Sequence, residues 1–171
     1  TRTAEPQTDP DLEPLLLLGV LREHLQKMGA EVWVRKHPNV RGAVQLEAFI
    51  DGIEVSVIND LQNGNGPFLS TATTFEVLIG DGDPQGHMSI EEIEQEIKTE
   101  MLVQGVIKGI RKSDKWNEEH RTKLVRIDID WLISLLTESR GKFSPVLSGI
   151  DDKETTIRVL KEVRKRGYTE L

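Results

Sequence analysis

The chain has 171 residues, 37% of them apolar and 30% charged, which is enough to build one ordinary domain or two small ones. Its 22 basic and 29 acidic residues give a net charge of −7, a sign that disfavours non-specific binding to nucleic acid or anionic lipid. The absence of cysteine excludes disulfides and thiolate chemistry from the chain and fits a cytoplasmic protein.

The first predicted elements are a tail and a helix. Residues 1–10 are polar and contain two prolines, which predicts a flexible tail. A helix should follow from about Pro14 to Gly29, because apolar residues recur on one helical face. That face consists of Leu17, Leu18, Leu21, Leu25 and Met28. Its longest apolar run, residues 15–21, is shorter than the roughly 20 residues of a transmembrane helix, so we expect no membrane partner.

A β-hairpin is predicted around Asp51-Gly52, a dipeptide that favours the type I′ turn. Apolar and polar residues alternate on both sides of this turn, as in two half-buried strands. The register then places three apolar pairs on one face: Ile50 with Ile53, Ala48 with Val55, and Leu46 with Val57. Further strands are predicted around Val32–Val34 and at Phe75–Ile79. Residues 11–84 should therefore form an α+β region, with the N-terminal helix on a three- to four-stranded antiparallel sheet.

Residues 85–171 are predicted to be mainly helical. A long helix should run from Ile90 to about Arg111, and Ser89 with Glu92 forms a capping-box pattern at its start. The last predicted helix is capped by Asp151 with Glu154 and ends at Gly167. Between these helices, residues 122–130 fit either a strand or the approach to a helix capped by Asp130.

The composition changes near residue 85. Residues 1–84 hold 6 basic and 13 acidic residues, whereas residues 85–171 hold 16 of each. The string Gly86-His87-Met88 is also one that cloning at a start codon often leaves behind. A second hypothesis for the organisation of the chain is therefore a fusion junction near residues 85–88.

The segment Asp81–Glu92 has the spacing of a calcium-binding loop, with oxygen ligands at positions 1, 3, 5, 7, 9 and 12 and glycine at position 6. Over these twelve residues the chain resembles an EF-hand. The resemblance implies a ligand set of Asp81, Asp83, Gln85, the carbonyl of His87, Ser89 and Glu92. The competing interpretation is a turn followed by the capping box, since the preceding segment is predicted as a strand. We expect the turn, no calcium binding and no cofactor.

The C-terminal helix carries a basic strip that could contact phosphates: Lys161, Arg164, Lys165 and Arg166. Bases at the end of a helix also complement the helix dipole, which accounts for the same pattern without a ligand. Nucleic-acid binding is therefore the alternative function, and a nucleic-acid partner is not our first expectation.

Enzymatic signatures are weak in this sequence. The four histidines lie far apart, and there is no P-loop, nucleophile elbow or dinucleotide-binding glycine pattern. The chain is therefore expected to be non-catalytic, and a metal-dependent enzyme or calcium-binding protein is the third hypothesis.

The leading hypothesis is a non-enzymatic protein-interaction module, such as an adaptor, an assembly factor or a chaperone-like protein. The helix predicted at 90–111 is apolar over more than the stripe of about 100° that a surface helix presents. The candidate interaction residues on it are Ile97, Met101, Val106 and Ile110. A face this broad needs cover on several sides, which predicts a partner: another protein or a second copy of the chain.

Overall fold

The computed structural model describes residues 13–121 and 125–171. Its elements are α1 (Glu13–Lys27), β1 (Glu31–Lys36), β2 (Val44–Ile50), β3 (Ile53–Asn59), β4 (Phe75–Ile79), β5 (Gln85–Met88), α2 (Ile90–His120), α3 (Ile129–Glu138) and α4 (Lys153–Lys165). The predicted α+β class, with a mainly helical C-terminal part, is confirmed. The tail predicted at residues 1–10 lies outside the described residues. Among the helices of residues 13–121 and 125–171, none combines the length and the apolar composition that a membrane span requires.

The sheet has five antiparallel strands in the order β1-β2-β3-β4-β5, so the predicted count of three to four was wrong. The missed strand is β5, which pairs with β4 through Phe75 with Met88 and Val77 with Gln85. Its four residues include Gly86 and a left-handed His87 at φ 56°, so the segment has the composition of a turn. Pairing with the neighbouring strand, rather than local preference, makes it a strand.

The predicted hairpin is confirmed in its turn and in its register. Asp51 and Gly52 both have positive φ, 47° and 80°, as a type I′ turn requires. The three apolar pairs form as expected: Ile50 with Ile53, Ala48 with Val55, and Leu46 with Val57. Their side chains are buried on the inner face of the sheet. Helix α1 packs against β1 and β2, with Leu18, Leu21 and Leu25 fully buried.

The connection between β3 and β4 is organised around the buried carboxylate of Asp60. This carboxylate accepts hydrogen bonds from the backbone N–H of Gln62 at 3.0 Å, from that of Phe68 at 3.0 Å, and from Ser70 Oγ at 3.3 Å. A buried carboxylate is retained only when hydrogen bonds replace its hydration, and here the loop itself supplies them. Residues 60–70 therefore form an ordered connection.

The chain divides into two compact units, residues 1–97 (unit 1) and 98–171 (unit 2), and the boundary falls within α2. In unit 1, Ile93 and Ile97 of α2 are fully buried. Unit 2 has its own core, to which α2, α3 and α4 contribute Val103, Ile107, Ile110, Ile129, Leu132, Leu136, Val159, Leu160 and Val163. Helix α2 ends at His120 rather than near Arg111, because its polar last turns continue beyond the apolar stripe that defined the prediction.

The helix caps in unit 2 differ slightly from those predicted. Helix α3 is capped by Asp128, whose Oδ1 accepts from the backbone N–H of Trp131 at 2.8 Å. Helix α4 is capped by Asp152, whose Oδ2 accepts from the backbone N–H of Thr155 at 2.8 Å. The predicted caps, Asp130 and Asp151, were wrong because another aspartate lies within two residues of each, and that aspartate has its carboxylate in reach of the free N–H groups.

Candidate functional site

The outer face of the unit 1 sheet is formed by the residues of β2 to β4 that alternate with the buried ones, and by their partners on β1. It carries three large apolar side chains that remain exposed: Trp33 by 53%, Phe49 by 45% and Leu78 by 37%. They line a partly open pocket of about 470 Å³. Exposed apolar side chains scattered singly are ordinary, but three that line one concavity form a patch.

The strand register sets the order of side chains across this face. Phe49 on β2 lies between Glu31 on β1 and Glu54 on β3. Neighbouring strands are about 4.8 Å apart, so the backbones that carry the two glutamates are separated by about 10 Å, with Phe49 midway. Phe49 is therefore flanked by a glutamate on each neighbouring strand.

A second row of side chains runs parallel to the first. Trp33 on β1 lies opposite Glu47 on β2, which lies opposite Ser56 on β3, and Ser56 lies opposite Leu78 on β4. Trp33 and Phe49 are thus diagonal neighbours on adjacent strands, a position from which aromatic side chains can contact the same ligand.

The charge of this face is negative. Glu47 accepts a hydrogen bond from Arg35 Nη2 at 2.8 Å and is therefore paired within the sheet. Glu31 and Glu54 are exposed, and neither forms an ion pair with another residue in the described ranges. Unit 1 as a whole holds 6 basic and 17 acidic residues, a net charge of −11. The pocket thus combines aromatic surface with two carboxylates that have no cationic partner in the part of the chain that the structure describes.

The interaction residues predicted on α2 are buried or half-buried in the folded chain. Ile97 is fully buried in unit 1, and Ile110 is 4% exposed in unit 2. Met101 and Val106 are half-buried, and Val106 packs against the unit 2 core. The chain itself covers most of this apolar face, so the width of the face no longer requires a partner.

The residues of the predicted calcium loop are spread along a hairpin and a helix start. Asp81 and Asp83 lie in the turn between β4 and β5, and Gln85 and His87 lie on β5. All four are exposed. Within residues 13–121 and 125–171, no three His, Cys, Asp or Glu side chains are grouped so that they could hold a metal ion.

Ser89 caps the start of α2 as predicted, and its hydroxyl rather than its backbone N–H is paired with the Glu92 carboxylate. Ser89 Oγ accepts from the backbone N–H of Glu92 at 3.2 Å and donates to Glu92 Oε1 at 3.2 Å. The two side chains therefore satisfy each other at the helix terminus.

The basic strip predicted on the C-terminal helix is partly neutralised within unit 2. Arg164 Nε donates to Asp130 Oδ2 at 3.2 Å. Arg166 forms ion pairs with Glu100 and with Glu162. Lys161 and Lys165 are exposed. The strip consequently offers fewer unpaired cations than the sequence indicated.

Sequence reasoning missed the pocket on the sheet, although part of its signal was present. The alternation that placed Val32 and Val34 inward also placed Trp33 on the opposite face, and the same alternation turns Phe49 outward. What the pattern could not show is that these side chains converge on one pocket.

No family model matches the chain, and neither a curated protein nor a solved structure matches it.

Proposed function

We propose that the protein is a non-enzymatic interaction module that binds a partner protein on the outer face of the unit 1 sheet. The observation that carries this proposal is the joint exposure of Trp33, Phe49 and Leu78 around one open pocket. Exposed apolar patches rimmed by polar groups are typical of binding surfaces, and aromatic residues dominate the energetics of such surfaces. The adaptor, assembly-factor and chaperone-like roles all use such a surface.

The size of the patch says how much of the face a partner must cover. Covering the exposed halves of Trp33 and Phe49 would contribute about 2 kcal/mol each, at about 25 cal/mol per Å². Association costs at least about 4 kcal/mol in lost translational and rotational freedom. The apolar patch alone therefore roughly offsets this cost, so a stable complex must also use the polar rim that includes Glu31 and Glu54.

The alternative functions have less support. Nucleic-acid binding by α4 would need a strip of cations, and both Arg164 and Arg166 are held by acidic residues of unit 2. A calcium-binding protein or metal-dependent enzyme would need converging ligands, and the carboxylates of Asp81–Glu92 are spread along a hairpin and a helix start. The partner is proposed to be another protein, and a second copy of the chain is the alternative that the oligomeric state distinguishes.

The experiment uses the full chain as bait for a displayed random-peptide library, followed by amide chemical-shift mapping of the selected peptides. We expect shifts on the outer face of β1, β2 and β4, and at least tenfold weaker binding to the Trp33→Ala variant. Leu135→Ala is the matched control, since Leu135 is also 49% exposed but belongs to unit 2. Selected peptides that bind elsewhere, with Trp33→Ala unaffected, would contradict the proposal. Light scattering that shows a dimer broken by Trp33→Ala would identify a second copy as the partner.

A further inference from the structure

We infer that the outer face recognises an arginine side chain in a basic segment of the partner, held over Phe49 between Glu31 and Glu54. This inference rests on the proposed function, because it names the ligand chemistry of the same face. It is carried by the pocket and by the order of its side chains, and the charge of the pocket selects the occupant.

The position of the guanidinium follows from the strand register. A cation attracted to the face of an aromatic ring lies within about 6 Å of the ring centroid. Over Phe49 it would lie about midway between Glu31 and Glu54, whose strands are each about 4.8 Å from β2. Both carboxylates belong to flexible side chains that can reach a group in this position. Trp33, the diagonal neighbour of Phe49, can cover the guanidinium from the side.

The electrostatics of the pocket favour a cation over a neutral or an acidic group. Arg35 already neutralises Glu47, whereas Glu31 and Glu54 have no cationic partner among the described residues. The contact of Arg35 with Glu47, at 2.8 Å, also places a guanidinium–carboxylate hydrogen bond on this same face. A net charge of −11 on unit 1 steers basic segments toward it and repels nucleic acid.

Arginine fits this arrangement better than lysine. Its guanidinium is planar, so it can stack on Phe49 while its edges donate to carboxylates on two sides. A lysine ammonium is a compact and strongly hydrated point charge, which loses more hydration when it enters an aromatic pocket. The pocket is therefore expected to discriminate between the two cations.

The test uses a short probe, the capped peptide Gly-Gly-Arg-Gly-Gly, alongside matched peptides that carry citrulline or lysine in place of arginine. The chain has three tryptophans, so Trp116→Phe and Trp131→Phe are introduced to leave Trp33 as the only one. The fluorescence of Trp33 then reports binding at the pocket. One arginine supplies a dissociation constant on the order of 1 mM, so the titration is made at low salt up to about 10 mM peptide.

We expect saturable binding of the arginine peptide, a loss of at least fivefold with citrulline or lysine, and a further loss with added salt. Phe49→Leu should weaken binding at least fivefold. The double variant that carries both Glu31→Gln and Glu54→Gln should do the same. Glu23→Gln is the matched control, because Glu23 is an exposed carboxylate on α1 of the same unit. The backbone amide spectrum of each variant verifies that the sheet is intact.

The remaining outcomes overturn the inference. Equal binding of the arginine and citrulline peptides would show that the outer face binds peptides without recognising their charge. The inference would then be wrong, and the proposed function would still hold. Equal binding of arginine and lysine would overturn the assignment to arginine. If no probe binds while library-selected peptides still bind the outer face, the inference fails alone. If the library also returns nothing on that face, the proposed function fails with it.

Discussion

Arg166, the residue that follows α4, holds the carboxylate of Glu100 on α2 with both arms of its guanidinium. Nη1 donates to Oε1 at 2.9 Å, and Nη2 donates to Oε2. Gln104 Nε2 also donates to Oε1 at 2.9 Å. Burial raises the pKa of Glu100, but the hydrogen bonds from Arg166 and Gln104, with the charge of Arg166, outweigh burial and lower it. The ionised carboxylate is therefore part of what holds α2 and α4 together in unit 2.

The first prediction is that Glu100→Gln destabilises unit 2 by about 1–2 kcal/mol at neutral pH, because Arg166 loses its charged acceptor. Since the folded pKa of Glu100 is depressed, the stabilisation is complete above the ordinary glutamate pKa of about 4.3 and is lost as the pH falls through the lower folded value. Urea denaturation in a Trp33→Phe background, monitored by Trp116 and Trp131, measures this. The gap between wild type and variant should shrink below about pH 4.

The control for this measurement is Glu118→Gln, an exposed carboxylate on the same helix. It should change the stability little at any pH, because an exposed glutamate of this kind contributes little. A gap between wild type and Glu100→Gln that stays constant from neutral pH to about pH 3 would refute the assignment of the stabilisation to the ionised carboxylate.

The second prediction concerns Gly66, which lies directly against Asp60. A Cβ atom at position 66 would lie 2.2 Å from Asp60 Oδ2 and 2.5 Å from Asp60 Cγ. Because that carboxylate is held by three hydrogen bonds, it cannot move without losing them, and Gly66→Ala should cost unit 1 about 2 kcal/mol. Denaturation in a Trp116→Phe and Trp131→Phe background, monitored by Trp33 fluorescence, checks the loss, and Asn65→Ala, at an exposed neighbour, is the control.

A double-mutant cycle separates the contact from a general effect on the loop. Asp60→Ala removes the atoms that Gly66→Ala would meet, so the second substitution should cost little in the Asp60→Ala background. Additive losses would mean that Gly66 is needed for some reason other than its contact with Asp60.

The parts of the fold that the sequence predicted are those fixed by short-range chemistry. Asp51 and Gly52 determine the turn, and the alternation on either side determines the register, so the hairpin follows from a dozen neighbouring residues. The strand β5 does not, because Gly86 and the left-handed His87 are locally unfavourable in a strand and are compensated by pairing with β4. Long-range pairing is the information that local propensity lacks.

The candidate site was only half predictable for a related reason. Alternation shows that Trp33 and Phe49 point away from α1, but a sequence pattern cannot show whether another element covers that face. The same limit applies to α2, where the sequence shows a broad apolar face but not that Ile97 and Ile110 are buried within the chain. Whether a side chain is exposed depends on how the whole chain folds, so side-chain exposure has to be measured on the structure.

The third prediction is that the chain binds no calcium at micromolar concentrations. The element before Asp81 is a strand, and the side chains of Ser89 and Glu92 are already hydrogen-bonded to each other at the start of α2. Isothermal titration calorimetry should therefore detect no heat from specific calcium binding. A one-to-one micromolar site that is abolished by Glu92→Gln, and kept by the neighbouring Glu91→Gln, would prove the prediction wrong.

The fourth prediction is that the C-terminal helix binds no nucleic acid at near-physiological salt. Asp130 holds Arg164, and Glu100 and Glu162 hold Arg166, so phosphate would have to displace bound carboxylates. Fluorescence anisotropy with labelled RNA and duplex DNA is the measurement. Submicromolar binding that falls steeply with salt, and that is lost in Arg164→Glu with Lys165→Glu but kept in Arg140→Glu with Lys142→Glu, would instead promote the nucleic-acid function.

The fifth prediction separates a binding role for the outer face from a structural one. Trp33 and Phe49 are about half exposed, so truncating either to alanine should cost unit 1 about 1 kcal/mol or less. Val57 lies on the opposite face of the same sheet and is fully buried, so Val57→Ala should cost about 2 kcal/mol. Circular dichroism during urea denaturation measures all three variants without relying on the fluorescence of Trp33.

The same variants are then compared for binding to peptides selected on the wild-type chain. A binding residue loses affinity without losing stability, so Trp33→Ala and Phe49→Ala should each bind at least tenfold more weakly while they remain folded. Val57→Ala should show the reverse, with reduced stability and unchanged affinity under conditions where it stays folded. If Trp33→Ala instead destabilises unit 1 as much as Val57→Ala, the exposed aromatic residues hold the sheet together, and their exposure no longer argues for a partner.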